Sequence, residues 1–374
     1  MTPALATVAP LGIEQGRRVL CMSDVHAMPA LFQGALKAAD YDPGRDTLIL
    51  LGDLVEKGPD SLDFLRYLMD FRKGKDVRFL RGNCDQILLD VVAGSWPVEH
   101  QWRYLTAQPQ GLIWQMAREV GFALHGPEDF PALRVALHTA FEAEINFVRG
   151  WGVILADENA VFVHGGIPDD TDLTRFDLHK VMKNDNFLTQ ESHLKRWCVV
   201  GHTPVTLYHE HIPCADPMVD RDKHVIAIDG GCGIKPDGQL NCVIFPAWGE
   251  EAMEFVAYDG LPQVTALDPQ EPSSAARNVH WGANEVAVEE RGEEFSRCRQ
   301  LATGYTLDIL NDFLYTDRGG VLRTQDATDY RLPVSPGDRL KVVRETGRGL
   351  LAKKGGVTGW YGGRYQSMAR IREF

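Results

Sequence analysis

The sequence lacks any Cys-x-x-Cys pair, and its cysteines are few and scattered. Seven cysteines stand at positions 21, 84, 198, 214, 232, 242 and 298, far apart and odd in number. Zinc fingers need closely spaced pairs, so this class is excluded. An odd, irregular set also argues against a disulfide framework and predicts a reducing compartment.

Long apolar runs are also missing. No segment approaches the ~18 consecutive apolar residues of a membrane helix. The N-terminus, MTPALATVAPLGIEQGRR, carries two prolines and Glu14, and its basic pair follows the apolar part, which is the wrong order for a signal peptide. We therefore expect a cytoplasmic protein without a membrane partner.

Positive charge is scarce relative to negative charge. Lys and Arg number 39 against 52 Asp and Glu, so the formal net charge is -13 at pH 7. Nucleic acids are bound by clustered Lys and Arg, so we expect no nucleic-acid partner and disfavour a nuclease. A phosphate-bearing substrate is still compatible with this charge if a bound metal supplies a local cation.

What the sequence does contain is a repeated strand, polar loop and helix. Apolar strands at 18–22, 47–51 and 77–80 each lead into a polar loop and then into a helical pattern. Alternating strands and helices predict a parallel sheet in an α/β domain, with the polar loops gathered at one edge. With 374 residues, the chain is long enough for a second, smaller domain.

The later segments indicate where that second domain begins. Residues 94–150 are predicted to be inserted helices, whose Trp96, Trp102 and Trp114 either cover the mouth of a site or pack against the fold. We assign residues 1–262 to the α/β domain, 263–283 to a linker containing LDPQEPSS, and 284–374 to a small all-β domain. The stretch GDRLKVVRETGRGLLAKKGGVTGWYGG resembles SH3-like barrels, in which Trp360 and Tyr361 would bind a ligand or fill the core.

Six polar residues follow the buried strands and are expected to converge. They are Asp24, His26, Asp53, Asn83, His164 and His202. Asp24 and Asp53 lie 29 positions apart and Asp53 and Asn83 lie 30 apart, each about one strand–helix–strand unit. Carboxylate, imidazole and amide together suit Mn, Fe or Zn, and the two oxygens of Asp53 can bridge two ions.

Five phrases in this region carry a family resemblance. SDVHA, GDLVEKG, GNCD, HGG and GHTP occur in order across residues 23–204, followed by IAIDGG at 226–231. They resemble the GDxHG, GDxVDRG, GNHE, HGG and GHTP phrases of the calcineurin-like metallophosphoesterases, in particular the phosphoprotein-phosphatase branch. The resemblance covers roughly the first 260 residues and implies a four-layer α/β/β/α sandwich.

The resemblance also implies roles for the six residues. Asp24, His26 and Asp53 would hold one divalent cation, and Asp53, Asn83, His164 and His202 a second; manganese is expected, with iron or zinc as alternatives. A hydroxide bridging the two ions would attack phosphorus, and Asn83 would also bind the phosphate. No protein nucleophile is then required.

Three positions depart from the family pattern. Cys84 replaces the histidine that protonates the leaving oxygen, Glu56 replaces the aspartate behind it, and Lys57 replaces a phosphate-binding arginine. Cys84 is expected to be a small residue behind the ligands, with an acid–base or redox role or a metal contact as alternatives. Asp85 could pair with Lys57, and Lys183 is the candidate for a second phosphate-binding cation.

These features predict a metal-dependent phosphohydrolase acting on phosphate esters of a protein or a small molecule. A serine/threonine protein phosphatase is the first expectation, and a hydrolase of nucleotide phosphoanhydrides is the alternative. Loss of the general acid would matter least for a leaving group that departs readily as an anion. The non-enzymatic alternative is a protein that binds a peptide partner through the SH3-like tail.

Overall fold

The computed structural model describes residues 4–367, so the first three and the last seven residues of the predicted domains lie outside the described residues. The chain divides into two compact units. The first comprises Met1–Pro204, Pro217–Ile234 and Gly238–Asp259. The second comprises Val205–Asp216, Lys235–Asp237 and Gly260–Phe374.

The first unit is an α/β structure, as predicted. Its strands are β1 (Val8–Pro10), β2 (Arg18–Met22), β3 (Asp46–Leu51), β4 (Val77–Leu80), β5 (Ile154–Ala156), β6 (Ala160–Val163), β7 (Trp197–Val200), β8 (Met218–Asp220), β9 (Val225–Ala227), β10 (Leu240–Phe245) and β11 (Glu254–Tyr258). Its helices are α1 (Pro29–Ala38), α2 (Ser61–Phe71), α3 (Asn83–Ala93), α4 (Val98–Ala107), α5 (Leu112–Glu119), α6 (Phe130–Ala140), α7 (Glu142–Arg149) and α8 (Leu178–Met182).

These strands form two sheets. One has the order β11-β10-β2-β3-β4, and the other has the order β1-β5-β6-β7-β9-β8. The pairs β2–β3, β3–β4, β6–β7 and β7–β9 are parallel, as the alternation of strands and helices predicts. Strands β2, β3, β4, β6 and β7 each run into one of the predicted site loops.

Alternate residues of β2 and β3 enter two different cores. Cys21 and Ile49 share a buried cluster with Phe162 and Val199 of the other sheet. Leu20 and Leu48, on the opposite faces of the same strands, pack in the cluster formed with the helices. Both faces of these strands are therefore buried, which explains why they read as continuous apolar runs.

The predicted insertion, residues 94–150, carries the four helices α4–α7. Trp96, Trp102 and Trp114 are partly buried and pack against the helix-side core. The rings of Trp102 and Trp114 lie 6.3 Å apart. The structure thus shows these aromatic residues packing against the fold.

The second unit is built from strands. They are β12 (Gln263–Ala266), β13 (Asn278–Val279), β14 (Val286–Glu290), β15 (Phe295–Gln300), β16 (Thr306–Leu310), β17 (Leu314–Thr316), β18 (Leu322–Thr324), β19 (Ala327–Thr328), β20 (Arg339–Thr346), β21 (Gly349–Lys354), β22 (Val357–Tyr361) and β23 (Tyr365–Ser367). They form a five-stranded sheet, β22-β21-β20-β12-β23, a three-stranded sheet, β14-β15-β16, and the pairs β13–β19 and β17–β18.

Two sequence expectations fall in this unit. The segment 263–283, predicted to be a linker, begins with β12, an inner strand of the five-stranded sheet, because Val264 and Ala266 alternate into its core. Tyr361 is fully buried, and its hydroxyl donates to a backbone carbonyl, with those of Asp268 and Arg364 both in reach at 2.9 and 2.8 Å. Tyr361 therefore fills the core, whereas the SH3-like barrel stays a prediction.

Across residues 4–367, every helix is too short or too polar to span a bilayer.

Candidate metal centre

The loops that follow the strands hold four predicted ligands in an unusual backbone conformation. The φ angles are 55° at Asp24, 50° at His26, 53° at Asp53 and 69° at His202. This left-handed region is uncommon for residues other than glycine and carries a strain of about 1–3 kcal/mol each, so the surrounding structure must hold it. Backbone hydrogen bonds do so: Asp24 N–H donates to Gly52 O at 2.9 Å and His26 N–H to Asp53 O at 3.0 Å.

Two glycines allow the loops to approach each other closely. A side chain at Gly82 would clash with Asp53 Oδ1, and one at Gly201 would clash with Ser23 Oγ and Asp24 Oδ2. Both positions therefore need a residue without Cβ for steric reasons. They are the glycines of the GNCD and GHTP phrases, so the motif glycines keep the ligand loops in contact.

The structure brings five of the predicted ligands into two overlapping groups. Asp24, His26 and Asp53 form one group, and Asp53, His164 and His202 form the other. Within each group, one potential ligand atom of every residue lies within 4.8 Å of the others. Because Asp53 belongs to both groups, its carboxylate is placed to bridge two cations.

The six predicted ligands, Asp24, His26, Asp53, Asn83, His164 and His202, are called the cage below. Two candidate ligand atoms of the cage are buried without a hydrogen-bond partner: Asn83 Oδ1 and His164 Nε2, the latter 3.4 Å from Asp53 Oδ1. Buried polar atoms are rarely left unpaired, because the lost hydration is not replaced. Imidazole nitrogens and an amide oxygen beside two carboxylates are a donor set that suits Mn, Fe or Zn, so the residues fit the implied cations.

Asn83 is the sixth predicted ligand. It begins α3, and its Nδ2 donates to Cys84 Sγ at 3.4 Å. This contact occupies the amide nitrogen and leaves the unpaired Oδ1 as the atom available to a cation. The backbone N–H of Cys84 donates to Asp53 Oδ1 at 2.8 Å, which joins the start of α3 to the shared carboxylate.

The carboxylates and the imidazole of His164 shift one another's pKa values. Burial, and then the charge of Asp53, raise the pKa of Asp24 despite the nearby His164. Burial alone would lower the pKa of His164, but the carboxylates of Asp53 and Asp24 outweigh it and raise that pKa to about 10. The two carboxylates thus favour a positive charge at this point, and a bound cation would supply that charge.

Asp229 lies beside the cage and received no role from the sequence. It follows β9, is fully buried, and accepts a hydrogen bond from Gly231 N–H through Oδ1 at 2.8 Å, while Oδ2 has no partner. Burial, and then the charge of Asp24, raise its pKa well above the usual range. The strand-end rule that found the other residues also applies to the Asp229 of IAIDGG and could have found it.

Glu56 contacts the insertion. Its Oε1 accepts a hydrogen bond from Leu112 N–H at 2.6 Å, and its Oε2 accepts one from Tyr104 at 3.4 Å. Burial raises the pKa of Glu56 to about 7. Among the described residues, no hydrogen bond joins Glu56 to Cys84, so this carboxyl holds α4 and α5 to the loop after β3.

Cys84 and Lys57 both lie next to the cage. Burial, and then the charge of Asp53, raise the pKa of the Cys84 thiol well above its usual range. Lys57 is half-buried, and its Nζ lies 3.5 Å from His26 Nε2. Asp85 does not take the expected place beside Lys57, because its carboxylate instead accepts backbone N–H groups of Leu54, Val55 and Gly82 at 2.9–3.1 Å.

The exposed side of the cage carries an acid and a base. Asp185 Oδ1 lies 2.7 Å from His202 Nε2, and Lys183 Nζ donates to the same carboxylate at 3.0 and 3.3 Å. Lys183, the candidate for a second phosphate-binding side chain, is therefore linked to the predicted ligand His202 through the carboxylate of Asp185. Asp185 could not be found from the sequence, because nothing local marks it as the residue that meets the GHTP loop.

A family comparison agrees with this geometry. A sequence model of the calcineurin-like phosphoesterases matches residues 17–228, which contain all six predicted ligands. The chain belongs to the calcineurin-like phosphoesterase family. This family uses a dinuclear metal centre. The two groups that share Asp53 are the candidate ligand sets for such a centre in this chain.

Individual relatives match shorter parts of this phosphoesterase. A protein of Edwardsiella ictaluri (strain 93-146) called symmetrical bis(5'-nucleosyl)-tetraphosphatase is 47% identical over 75 residues, which is 20% of this chain and 26% of the relative. The protein of the same name from Enterobacter sp. (strain 638) is 47% identical over 73 residues, or 20% and 25% of the two chains. The chain thus spans about a quarter of the length of the curated relatives that it matches.

Solved structures align with a larger part of the chain. A protein serine/threonine phosphatase from Saccharomyces cerevisiae aligns with a TM-score of 0.40 and 9% identity, over 69% of this chain and 84% of that chain. A metallophosphoesterase from Sphaerobacter thermophilus aligns with a TM-score of 0.35 and 15% identity, over 65% and 88% of the two chains.

Proposed function

We propose that this chain is a phosphohydrolase that depends on two divalent cations. The observation that carries the proposal is the pair of overlapping ligand groups that share the buried carboxylate of Asp53. Metal ligands that remain unpaired in the protein are costly to bury, and a cation would remove that cost. When bound, two divalent cations would neutralise phosphoryl oxygens and lower the pKa of water toward neutrality.

The chain's own residues orient the ligands for this chemistry. His164 Nδ1 donates to Leu51 O at 2.8 Å, so Nε2 is the nitrogen left for a metal. Asp53 is fixed by the N–H of Cys84, and Asp24 Oδ2 accepts hydrogen bonds from Ser23 Oγ and from His202 N–H at 2.5 and 2.9 Å. Because these contacts hold the carboxylates and the imidazole, little rearrangement would accompany cation binding.

Three side chains of the cage are proposed to bind the phosphoryl group. Lys57 lies beside His26, and Lys183 lies beyond Asp185 at the exposed side. Together with the amide of Asn83, they would surround a phosphate from opposite sides of the cage. Neither lysine can offer the planar, bidentate fork of an arginine, so both would act as point charges.

The substrate class that we propose is the nucleotide phosphoanhydrides, such as dinucleoside polyphosphates. Cys84 stands where the family pattern has the histidine that protonates the leaving oxygen, and cations bound beside it would favour the thiolate, which cannot donate a proton. A substrate whose leaving group departs as a stable anion needs no such acid. The relatives called symmetrical bis(5'-nucleosyl)-tetraphosphatase support this choice over phosphoserine esters, within the short region that they share.

The test compares two substrates after controlled metal loading. The purified full-length chain would be stripped with a chelator, reloaded with Mn²⁺, Fe²⁺ or Zn²⁺, and analysed for bound metal per chain. Diadenosine tetraphosphate and a phosphoserine peptide would then be assayed side by side. We expect two cations per chain and a kcat/KM for the nucleotide that exceeds the peptide value by at least about 10²-fold, the lower range of a general-acid contribution.

Each outcome of this test is decisive. A chain that binds no metal and hydrolyses neither substrate would overturn the phosphohydrolase, and the tail-mediated, partner-binding alternative would then stand. A metal-loaded chain that prefers the phosphoserine peptide would keep the metal centre and replace the anhydride class with the serine/threonine phosphatase. An SH3-like barrel, its peptide partner and the cytoplasmic location stay predictions under either outcome.

A further inference from the structure

A carboxylate outside the six predicted ligands contacts one of them directly. Asp185 Oδ1 lies 2.7 Å from His202 Nε2, compared with 2.8 Å between His164 Nδ1 and a backbone carbonyl and 3.5 Å between His26 Nε2 and a lysine. A carboxylate accepts hydrogen bonds when ionised, so Nε2 must be the protonated nitrogen. The lone pair of the neutral imidazole then resides on Nδ1.

The other contacts of His202 place its imidazole ring beside the remaining predicted ligands. Its backbone has a φ of 69°, and its N–H donates to Asp24 Oδ2 at 2.9 Å. Its ring centroid lies 5.3 Å from that of His164, and it belongs to the ligand group that contains Asp53. Because Nε2 is hydrogen-bonded to Asp185, Nδ1 is the nitrogen of His202 that can bind a cation held by this group.

Asp185 is itself held in place by its own loop. Lys183 Nζ donates to both carboxylate oxygens, at 3.0 and 3.3 Å. The next residue, Asn186, donates its backbone N–H to Thr203 Oγ at 3.2 Å, which ties this loop to the GHTP loop. The side chain of Asp185 is 48% exposed, so its replacement should cost the fold little.

We propose that Asp185 is a positioning residue for His202: it selects the tautomer and the ring orientation in which Nδ1 binds a cation. Carboxylates that accept the second N–H of a metal-binding histidine commonly fix its tautomer and raise its basicity. The inference rests on the proposed metal centre. It adds a residue that the sequence motifs do not contain.

The first test measures metal affinity. Asp185→Ala, Asp185→Asn and the unchanged chain would be compared by equilibrium dialysis against Zn²⁺, with elemental analysis of the bound metal. We expect one of the two sites to weaken by about 10–100-fold in Asp185→Ala, and by less in Asp185→Asn, whose side-chain oxygen can still accept a hydrogen bond. Asp172→Ala is the matched control, because Asp172 is an exposed carboxylate whose hydrogen bonds within residues 4–367 come from Thr174 of its own loop.

The second test reads the tautomer directly. The ¹⁵N chemical shifts of the His202 imidazole would be measured in the metal-free chain, with the signals assigned by comparison with His202→Gln. We expect the Nε2-protonated form in the unchanged chain and in Asp172→Ala, and a mixture of tautomers in Asp185→Ala. Circular dichroism would check that all variants are folded.

The failures are distinguishable. If the unchanged chain binds no metal, the proposed function fails and this inference fails with it. If the unchanged chain binds two cations but Asp185→Ala binds both within twofold of the same affinity, only the inference is overturned. The inference is also overturned if affinity falls while His202 keeps a single Nε2-protonated form in Asp185→Ala.

Discussion

Buried aspartates in the two units have opposite surroundings. Asp229 of the first unit is fully buried with an unpaired Oδ2, and burial followed by the charge of Asp24 raises its pKa. Asp237 of the second unit accepts a hydrogen bond from Thr358 at 2.7 Å, and Lys235 and Lys353 outweigh burial and lower its pKa. The lysines near Asp237 thus favour its charged form, whereas burial and a neighbouring carboxylate disfavour the charged form of Asp229.

The two units also differ in the backbone conformation of their residues other than glycine. Nine residues other than glycine have positive φ among the described residues, and all nine belong to the first unit. Four of them are predicted metal ligands: Asp24, His26, Asp53 and His202. Left-handed backbone at residues other than glycine is thus concentrated in the first unit, and nearly half of these residues are candidate metal ligands.

The largest effect is expected from Asp53→Asn, which removes the carboxylate shared by both ligand groups. Loss of several kcal/mol of transition-state charge stabilisation corresponds to a fall in kcat/KM of about 10³-fold or more. The measurement is hydrolysis of diadenosine tetraphosphate together with metal content. Asp60→Asn, an exposed residue at the start of α2, is the control and should retain activity. Full activity in Asp53→Asn would remove the basis of the proposed function.

A large loss of stability is expected from Asp237→Asn in the second unit. Breaking a buried, paired carboxylate should lower the free energy of unfolding by about 2–4 kcal/mol, measured by urea denaturation. Because the folded pKa is depressed, this contribution is fully present above the unfolded value of about 3.9 and is lost only as the pH falls through the folded pKa. The destabilisation should therefore be equal at pH 5 and pH 7; a loss that shrinks between these values would contradict the pairing.

Asp229→Asn is expected to change the free energy of unfolding in the opposite direction, by increasing it. In the chelator-treated chain, removal of an unpaired buried charge should raise the free energy of unfolding by about 1–2 kcal/mol. The folded pKa is raised, so the wild-type chain loses stability as the pH rises above the unfolded value of about 3.9, and the advantage of the variant should be larger at pH 8 than at pH 5. Destabilisation by Asp229→Asn at pH 8 would show that this carboxylate is structural, like Asp237.

The smallest effect is expected from Cys84→Ala. The variant loses the sulfur that accepts from Asn83 Nδ2 but keeps the backbone N–H that fixes Asp53. We expect less than about a tenfold change in kcat/KM with the nucleotide, since its leaving group departs as a stable anion and needs no general acid. A fall of 10² or more that Cys84→Ser does not restore would instead assign the thiol a direct part in the reaction.

The convergence of the predicted ligands could be foreseen from the sequence because the rule behind it is local. A buried strand that stops at a polar loop can be read from a few residues, and parallel strands gather such loops at one edge of a sheet. Asp185 was not predictable, because its meeting with His202 depends on how two loops fold together. Glu56 could be placed beside the site loops by resemblance, yet its hydrogen bond from Leu112 depends on how the helices of residues 94–150 fold back onto the loop after β3.

The domain boundary shows the same limit of local reasoning. Nothing in the sequence marks Val205–Asp216 as part of the second unit. This segment belongs there because its backbone is hydrogen-bonded to residues far along the chain. Asn278 N–H donates to Glu210 O at 2.9 Å, and Ala215 N–H donates to Gly356 O at 2.9 Å. A boundary near residue 262 would separate these partners.

This pairing has a consequence for how the gene could be shortened. Val205 follows His202 by three positions, so the segment that the C-terminal strands hold begins almost at a ligand. A stop codon after residue 262 would leave that segment without the backbone partners it now has. We therefore expect a chain that ends after residue 262 to be poorly expressed or inactive.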